Sequence, residues 1–235
     1  MTTIQEKTVK RTKRNELTFE KSMTYFKKFV SKKGSRPELK YVNFDGGRYL
    51  IATDSHKLIR IKPEILTNFP YDKGQFLINP KTMDFDQEEL WYPDTYRIVP
   101  IQGKENIQVG LDKKTIRELL TTIKEAKQLV KQDKNKTIAL HFTYTGLTII
   151  GNEVNGEVIE TIYEKTIESI TTREEDEEIK IFVNAGYLQH ILETAKKLLD
   201  VTKENVKIGL ISKARPIHFY NSYFDSLLLP IRVGG

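Results

Sequence analysis

The sequence has no cysteine, a single tryptophan and few histidines. The lack of cysteine excludes disulfides, thiolate zinc sites and a cysteine nucleophile, and it fits a reducing compartment without proving one. No glycine-rich phosphate loop is present, because Asp45-Gly46-Gly47-Arg48 has the pattern of a hairpin turn. The histidines are scattered and fit no close-spaced set of metal ligands: His56, His141, His190 and His218. The sequence therefore predicts no metal site and no other cofactor.

Long apolar runs are also missing. No stretch approaches the roughly 20 residues that a membrane span requires, and the N-terminus lacks the apolar core of a signal peptide. We therefore expect a soluble, cytoplasmic protein. Hydrophobic residues make up 38% of the 235 and aromatic residues 10%, which suits a globular chain of one large or two small domains.

Positive charge is in excess and is gathered near the N-terminus. The formal net charge is +6, and residues 1–40 contain 12 Lys or Arg against 4 Asp or Glu. Basic charge concentrated in one region favours a polyanionic partner such as nucleic acid, although a solvated basic tail has the same composition. Residues 1–15 have almost no apolar pattern, so we expect a flexible basic arm.

Apolar periodicity predicts three helices among many short strands. The helices are expected at residues 20–33, 112–132 and 185–199, with Asp112 as the cap of the second, and a short helix could open at Asn79-Pro80. After Gln102 the elements follow the order β-α-β-β-β twice, and the residues before it begin with the same order. Repeats of this kind predict an α+β class in which antiparallel sheets pack on helices.

Four segments stand out by their residue patterns. They are Ala52-Thr53-Asp54-Ser55-His56-Lys57-Leu58, Pro93 to Pro100, Ile181 to Leu188 and the terminal Leu229-Pro230-Ile231-Arg232-Val233. In this order they resemble A-T-D-G-H-R-L, F-P-D-Y-x-x-V-x-P, F-N-x-x-Y-L and M-P-M-R-L, which are motifs of one protein family, the bacterial sliding clamp or beta subunit of DNA polymerase III. The order and rough spacing of the four agree with that family over residues 17–233.

The resemblance implies a DNA-clamp-like fold without the first of the family's three domains. Residues 1–15 would be the arm, residues 16–101 a shortened version of the middle domain, and residues 102–235 a complete last domain. It also implies a non-catalytic processivity factor that encircles duplex DNA and binds polymerase and clamp-loader subunits through short linear motifs. Six such domains close the family's ring, so two domains per chain would imply a homo-oligomer, namely a trimer with cyclic symmetry. The shortened domain weakens this inference of a closed ring.

The family binds partner peptides between its last two domains, and the resemblance carries this groove to the C-terminal tail folded beside the Thr53–Leu58 segment. The implied groove residues are Thr53, Ser55, His56, Lys57, Leu58, Pro93, Arg97, Ile98, Leu227, Leu229, Pro230 and Ile231. These residues could instead have a purely structural role. Ser55 and His56 would then form a polar turn at the end of a strand, and Leu227 to Ile231 would be a last strand packed on the core of its own domain. A hydrolase is not favoured, because Ser55 and His56 on one strand would point to opposite faces.

The family's helices line the hole through which DNA passes. The implied DNA-binding residues are Lys21, Lys27, Lys28, Lys32, Lys113, Lys114, Arg117, Lys124, Lys127, Lys196 and Lys197. Loose contacts of lysine with phosphates read no base sequence and suit sliding. An ordinary solvated helix surface would carry the same residues. A second function also fits the pattern, a monomeric adaptor or decoy that keeps the groove and does not encircle DNA.

Overall fold

The structure is a computed structural model that describes residues 16–32, 36–70, 74–86, 91–130, 133–155, 158–168 and 178–232. The predicted basic arm of residues 1–15 lies outside these residues, as do Lys33 at the end of the first predicted helix and Val233 of the terminal motif.

Three α-helices begin at side-chain caps. They are α1 (Phe19–Phe26), α2 (Lys113–Leu129) and α3 (Ala185–Thr202), whose N-terminal amides donate to the side chains of Thr18, Asp112 and Asn184. The prediction that Asp112 caps the second helix is confirmed by its 2.7 Å bond from the amide of Thr115. The first helix is shorter than predicted. The chain turns tightly after Phe26 so that Phe29 and Val30, which helical spacing had placed on the helix, reach the core from a turn.

The fifteen strands among the described residues form three sheets. A nine-stranded sheet has the order β7-β6-β2-β3-β4-β15-β14-β13-β8, a four-stranded sheet has the order β11-β10-β9-β12, and β1 pairs with β5. The bounds are β1 Leu17–Thr18, β2 Val42–Asp45, β3 Leu50–Thr53, β4 Lys57–Ile61, β5 Leu66–Thr67, β6 Gln75–Ile78, β7 Phe85–Asp86, β8 Ile107–Leu111, β9 Thr137–Thr143, β10 Gly146–Asn155, β11 Val158–Ile167, β12 Ile179–Asn184, β13 Val206–Leu210, β14 Ile217–Asn221 and β15 Phe224–Leu228.

The predicted repeat of β-α-β-β-β is confirmed. It occurs as β8-α2-β9-β10-β11, again as β12-α3-β13-β14-β15, and once before them as β1-α1-β2-β3-β4. We call each of these a module. The first half of the chain has one module followed by β5, β6 and β7. The short helix expected at Asn79-Pro80 is wrong, because this segment is a turn between the antiparallel strands β6 and β7, in which the amide of Met83 donates to the carbonyl of Asn79 at 2.9 Å.

The two faces of the nine-stranded sheet have different neighbours. Alternate residues such as Ile59 and Ile61 of β4 belong to the main apolar cluster that also contains buried residues of the three helices. The other residues, such as Leu58 of β4 and Leu227 of β15, belong to a smaller cluster on the outer face. Because side chains alternate along a strand, one sheet supports both clusters.

Candidate functional site

The C-terminal strand lies directly beside the Thr53–Leu58 segment. β15 pairs antiparallel with β4, and Leu227 stands opposite Leu58. Beyond β15, the amide of Leu229 donates to the carbonyl of His56 at 2.9 Å, and the amide of Ile231 donates to the carbonyl of Phe182 at 2.7 Å. The predicted juxtaposition of the tail with this segment is confirmed, and the tail runs between the His56 turn and the edge of β12.

The turn that carries Ser55 and His56 is built by Thr53 and Asp54. The Asp54 carboxylate accepts the amides of His56 and Lys57, each at 3.0 Å, and the Thr53 hydroxyl donates to the carbonyl of Lys57 at 2.8 Å. Ser55 has a φ of +73°, in the left-handed region that favours glycine. The His56 ring stacks on Tyr187 with centroids 5.6 Å apart. Asp54 therefore supports the turn through its carboxylate rather than orienting the imidazole of a hydrolase.

Lys57 is buried rather than presented at the surface. Its ammonium forms an ion pair with Asp54 and lies 4.2 Å from the centroid of the Tyr187 ring and 5.7 Å from that of Phe29. Burial lowers the pKa of Lys57, and Asp54 opposes this shift. Such a site holds the charge by an anion and two aromatic faces at once, so Lys57 ties β4 to α3.

The apolar members of the predicted groove divide into buried and exposed residues. Leu58 and Leu227 are buried against Tyr92, whose hydroxyl donates to the carbonyl of Ile51 at 3.4 Å. Burying each leucine contributes about 1.5–3 kcal/mol to folding. Of the other predicted residues, Pro93, Pro230 and Ile231 are half-buried, while Arg97, Ile98 and Leu229 are exposed. The surface available to a partner is therefore narrower than the predicted set.

Five of the predicted groove residues are divided between two separate clefts. One, of about 370 Å³, lies between the segment after α1 and α3 and is lined by His56, Lys57, Lys28, Lys32, Tyr187 and His190. The other, of about 1020 Å³, is lined by Leu229, Pro230, Ile231 and residues of β12. Burial lowers the pKa of His190 to about 4, and the positive charges of Lys57 and Lys28 lower it further. The His190 ring in the smaller cleft is therefore uncharged at pH 7.

Sequence reasoning missed Tyr92, Asp54 and Tyr187 as members of this site. All three stood inside or next to motifs already recognised, and Tyr187 occupies the aromatic position of F-N-x-x-Y-L. Their partners belong to different strands and helices, so no local pattern indicated that Tyr187 would cover both His56 and Lys57.

Among the predicted DNA-binding residues, Lys21, Lys27, Lys32, Lys114, Arg117 and Lys124 are exposed. The others are half-buried, and three of them connect α3 to its neighbours. Lys28, just after α1, pairs with Glu193 at 2.7 Å; Lys113 of α2 pairs with Asp200; and Lys127 of α2 donates to Gln189 at 2.9 Å. The helix α3 therefore lies between the α1 segment and α2, with its carboxylates neutralised by flanking lysines.

A buried charged network crosses the joint between β4 and β15 on the outer face. Arg60 of β4 pairs with Asp225 of β15 at 2.7 Å, and Asp225 also lies 2.8 Å from Nε2 of His218, whose Nδ1 lies 3.2 Å from Glu105. Burial would raise the pKa of Asp225, but the His218 hydrogen bond and the Arg60 guanidinium hold it below its usual value.

The segment that links the two halves of the chain covers this network. The Arg60 guanidinium lies against both Tyr49 and Tyr96, with distances to the ring centroids of 4.6 Å and 5.2 Å, and the Tyr96 hydroxyl donates to Asp45. Gln102 donates to Asp225 at 3.1 Å. Tyr96 and Gln102 of the linking segment thus stabilise the pairing of β4 with β15 on its outer face.

Within the residues that the structure describes, His, Asp and Glu side chains form no group that could hold a metal ion. Of the helices in that part of the chain, none is both long and apolar enough to cross a membrane.

The fold is that of the bacterial sliding clamps. The structure superposes on the DNA polymerase III subunit beta of Borrelia burgdorferi with a TM-score of 0.65 and 14% identity, over 90% of this chain and 63% of that chain. It superposes on the beta subunit of the Streptococcus pyogenes DNA polymerase with a TM-score of 0.63 and 18% identity, over 94% and 67%. For the DNA polymerase sliding clamp of Pseudomonas aeruginosa the TM-score is 0.64 at 16% identity, over 91% and 65%.

The chain spans a little under two thirds of the Borrelia protein. No protein-family model and no curated protein matches the sequence. The similarity to clamps is therefore one of fold, and it confirms the resemblance that the four motifs indicated.

Proposed function

We propose that this protein is a clamp-like processivity factor that tethers a DNA polymerase to duplex DNA and performs no chemistry itself. The observation that carries the proposal is the β4–β15 joint, which fuses modules from both halves of the chain into one sheet of the sliding-clamp fold. The proposal keeps the organisation predicted from the sequence, a shortened middle-type domain over residues 16–101 and a complete last-type domain over residues 102–235.

The proposed DNA surface is the row of helices. Six exposed basic residues lie on or next to α1 and α2, and sequence-independent contact with phosphates requires only such positive charge. The acidic groups of α3 are already paired with Lys28 and Lys113, so they weaken the positive field of this surface less than free carboxylates would.

The proposed partner site is the groove at the tail, where Leu229 is 42% exposed; the predicted groove residue Ile98 is 54% exposed on the linking segment. Exposed apolar side chains next to a buried cluster can anchor the apolar residues of a short peptide. The expected partners are polymerase and clamp-loader subunits.

Topological tethering is tested by DNA retention. The protein, loaded on a nicked circular duplex, should stay bound through gel filtration at moderate salt, whereas the same duplex cut to a linear form should lose it. If the protein dissociated equally from circular and linear DNA, the proposal that it encircles DNA would be contradicted.

The groove is tested by Leu229→Asp. A labelled clamp-binding peptide should bind the native protein and lose about tenfold or more in affinity with the variant, because a carboxylate replaces the apolar anchor. Tyr144→Asp is the matched control, since Tyr144 is 52% exposed in the turn between β9 and β10. Unchanged binding by Leu229→Asp would contradict the groove.

One observation favours the second function, a monomeric adaptor or decoy that binds replication proteins without encircling DNA. In the described part of the first half there is a single module, and the sheet ends there at the two-residue strand β7. A strand of this length offers a neighbouring subunit little backbone to pair with. Light scattering separates the two functions, because a closed ring requires an oligomer, a trimer in the simplest case, and an adaptor is a monomer.

A further inference from the structure

The larger cleft lies on the β12 side of the tail, away from His56 and Leu58. Its volume is about 1020 Å³, and it is bordered by the tail, by β12 and by the loop between β13 and β14. Motif comparison placed Leu229, Pro230 and Ile231 in a groove with His56, but it gave no role to the residues of β12 or of the loop. The cleft is therefore a separate surface that shares one wall with the proposed groove.

The floor of the cleft is apolar. Ile181 is buried, Phe182 is half-buried, and Leu229 is 42% exposed. These side chains come from a strand and from the tail, which the Ile231–Phe182 backbone bond of 2.7 Å fixes relative to each other. A floor held in this way offers preformed contact area, which reduces the ordering cost of binding.

The rim of the cleft is cationic. Lys180, Lys213 and Arg232 line it and are exposed, with Glu178 as the acidic residue among the lining side chains. Glu178 lies 3.2 Å from His141 of β9, so its charge is directed toward that imidazole. The surplus positive charge favours a ligand that carries carboxylates.

The backbone of β12 adds directional binding groups. β12 pairs with β9 along one edge and, among the residues that the structure describes, is the last strand of its sheet. On the outer edge the Phe182 carbonyl accepts the tail amide. Since alternate residues of a strand present their backbone groups to the same edge, the amide and carbonyl of Lys180 also face outward, beside the cleft.

We propose that this cleft binds an extended acidic segment of a partner protein, which adds to the outer edge of β12. Apolar side chains of the segment would pack on Phe182 and Leu229, while its carboxylates would pair with Lys180, Lys213 and Arg232. The tail already bonds the edge at Phe182, so the segment would form its main-chain bonds at Lys180. In strand addition the main-chain bonds supply affinity and the side chains supply specificity. The inference deepens the proposed function by naming the chemistry of a partner, and it rests on that function for the wall at Leu229.

The test uses a fluorescein-labelled peptide of four Glu-Leu repeats and measures its anisotropy with the full-length protein. We expect saturable binding that weakens as salt is raised from about 50 to 300 mM, since the pairing groups lie at the surface. The variant Lys180→Glu/Lys213→Glu should lose about tenfold or more in affinity. The matched control is Lys62→Glu/Lys81→Glu, which reverses two charges at the far end of β4 and after β6 and should bind as the native protein does.

Three results would overturn the proposal. They are no binding of the Glu-Leu peptide to the native protein, equal binding of a peptide of four Lys-Leu repeats, and unchanged affinity when the peptide amides that face β12 are methylated. The clamp-binding peptide used for Leu229→Asp separates this site from the groove. It should still bind Lys180→Glu/Lys213→Glu, and loss of both peptides in that variant would show one site instead of two.

Discussion

The two halves of the chain contribute differently to the hydrophobic core. The last half contains two complete modules, and each contributes a helix and strands to the main cluster. The first half has one module, and its strands β2 to β4 continue directly into β15 of the last half. The main apolar cluster includes Leu17 from one half and Leu228 from the other. The comparison teaches that the shorter first half shares one continuous core with the last half through the β4–β15 pairing. The domain boundary near residue 101 stays a prediction.

The joint also differs between its own two faces. The helix side is apolar, whereas the outer side combines the Leu58–Leu227 contact with the Arg60–Asp225 pair. Apolar contacts tolerate small shifts, while a buried charge requires its partners at fixed positions. The charged network therefore makes the relative position of the two halves specific.

Arg60→Ala is expected to give the largest effect. Removing the guanidinium takes away the cation that Asp225 pairs with and leaves its buried carboxylate with His218, which also contacts Glu105. The free energy of unfolding should fall by about 3–5 kcal/mol in urea titrations. Arg97→Ala is the comparison variant, because Arg97 is 88% exposed and pairs with Asp94 at 3.2 Å on the surface. Its loss should be below about 1 kcal/mol. Equal losses of unfolding free energy for the two variants would mean that the buried ion pair between β4 and β15 contributes no more to stability than a surface ion pair.

Gly209→Ala is expected to give an intermediate effect at the same network. A Cβ atom on Gly209 would lie 2.5 Å from Cγ of Glu105. Glu105 cannot move freely, since its carboxylate accepts the amide of Gly103 at 2.8 Å and contacts His218. We expect a loss of about 1–3 kcal/mol in thermal or urea unfolding.

Gly110→Ala on the neighbouring strand β8 provides the control for Gly209→Ala. A Cβ atom there meets nothing within 4 Å, so stability should stay the same or rise slightly. A similar loss at both glycines would point to a general intolerance of alanine in this sheet and against the role of Glu105.

Ser55→Gly is expected to give the smallest effect and to stabilise the protein. Glycine adopts the φ of +73° found at this position without the steric cost that serine bears, and the gain should be about 0.5 kcal/mol after the added freedom of the unfolded chain. Ser55→Ala keeps the side-chain strain and should show no gain. A loss with Ser55→Gly would indicate that the Ser55 side chain contributes to the turn.

Much of the fold could be predicted from local pattern. Ile107–Leu111 and Gln75–Ile78 are the predicted strands, and Asp112 caps α2 as expected. The errors fell where tertiary packing outweighed spacing. Phe26, Phe29 and Val30 have helical spacing, but the chain leaves the helix at Phe26 because turns bring the last two into the core. Asn79-Pro80 suited a helix start, but the pairing of β6 with β7 required a turn.

The candidate site was predicted in part. The tail and the Thr53–Leu58 segment were expected to meet, and they do. The burial of Lys57 beneath Tyr187 was not expected, because it depends on the packing of α3 against β4. The role of the β12 edge as a wall of the larger cleft was also not expected, because it depends on the position of the tail beside β12.

The sequence by itself determined the modules, since apolar periodicity and capping residues act within a few residues of each other, and it determined the positive charge of the chain. The tertiary structure alone decided which side chains of that pattern remain at the surface. Burial of Lys57, the pairing of Arg60 with Asp225 and the cationic cleft all depend on residues that lie far apart along the chain. Their energies come from desolvation and from charges brought within a few ångströms, which no local pattern records.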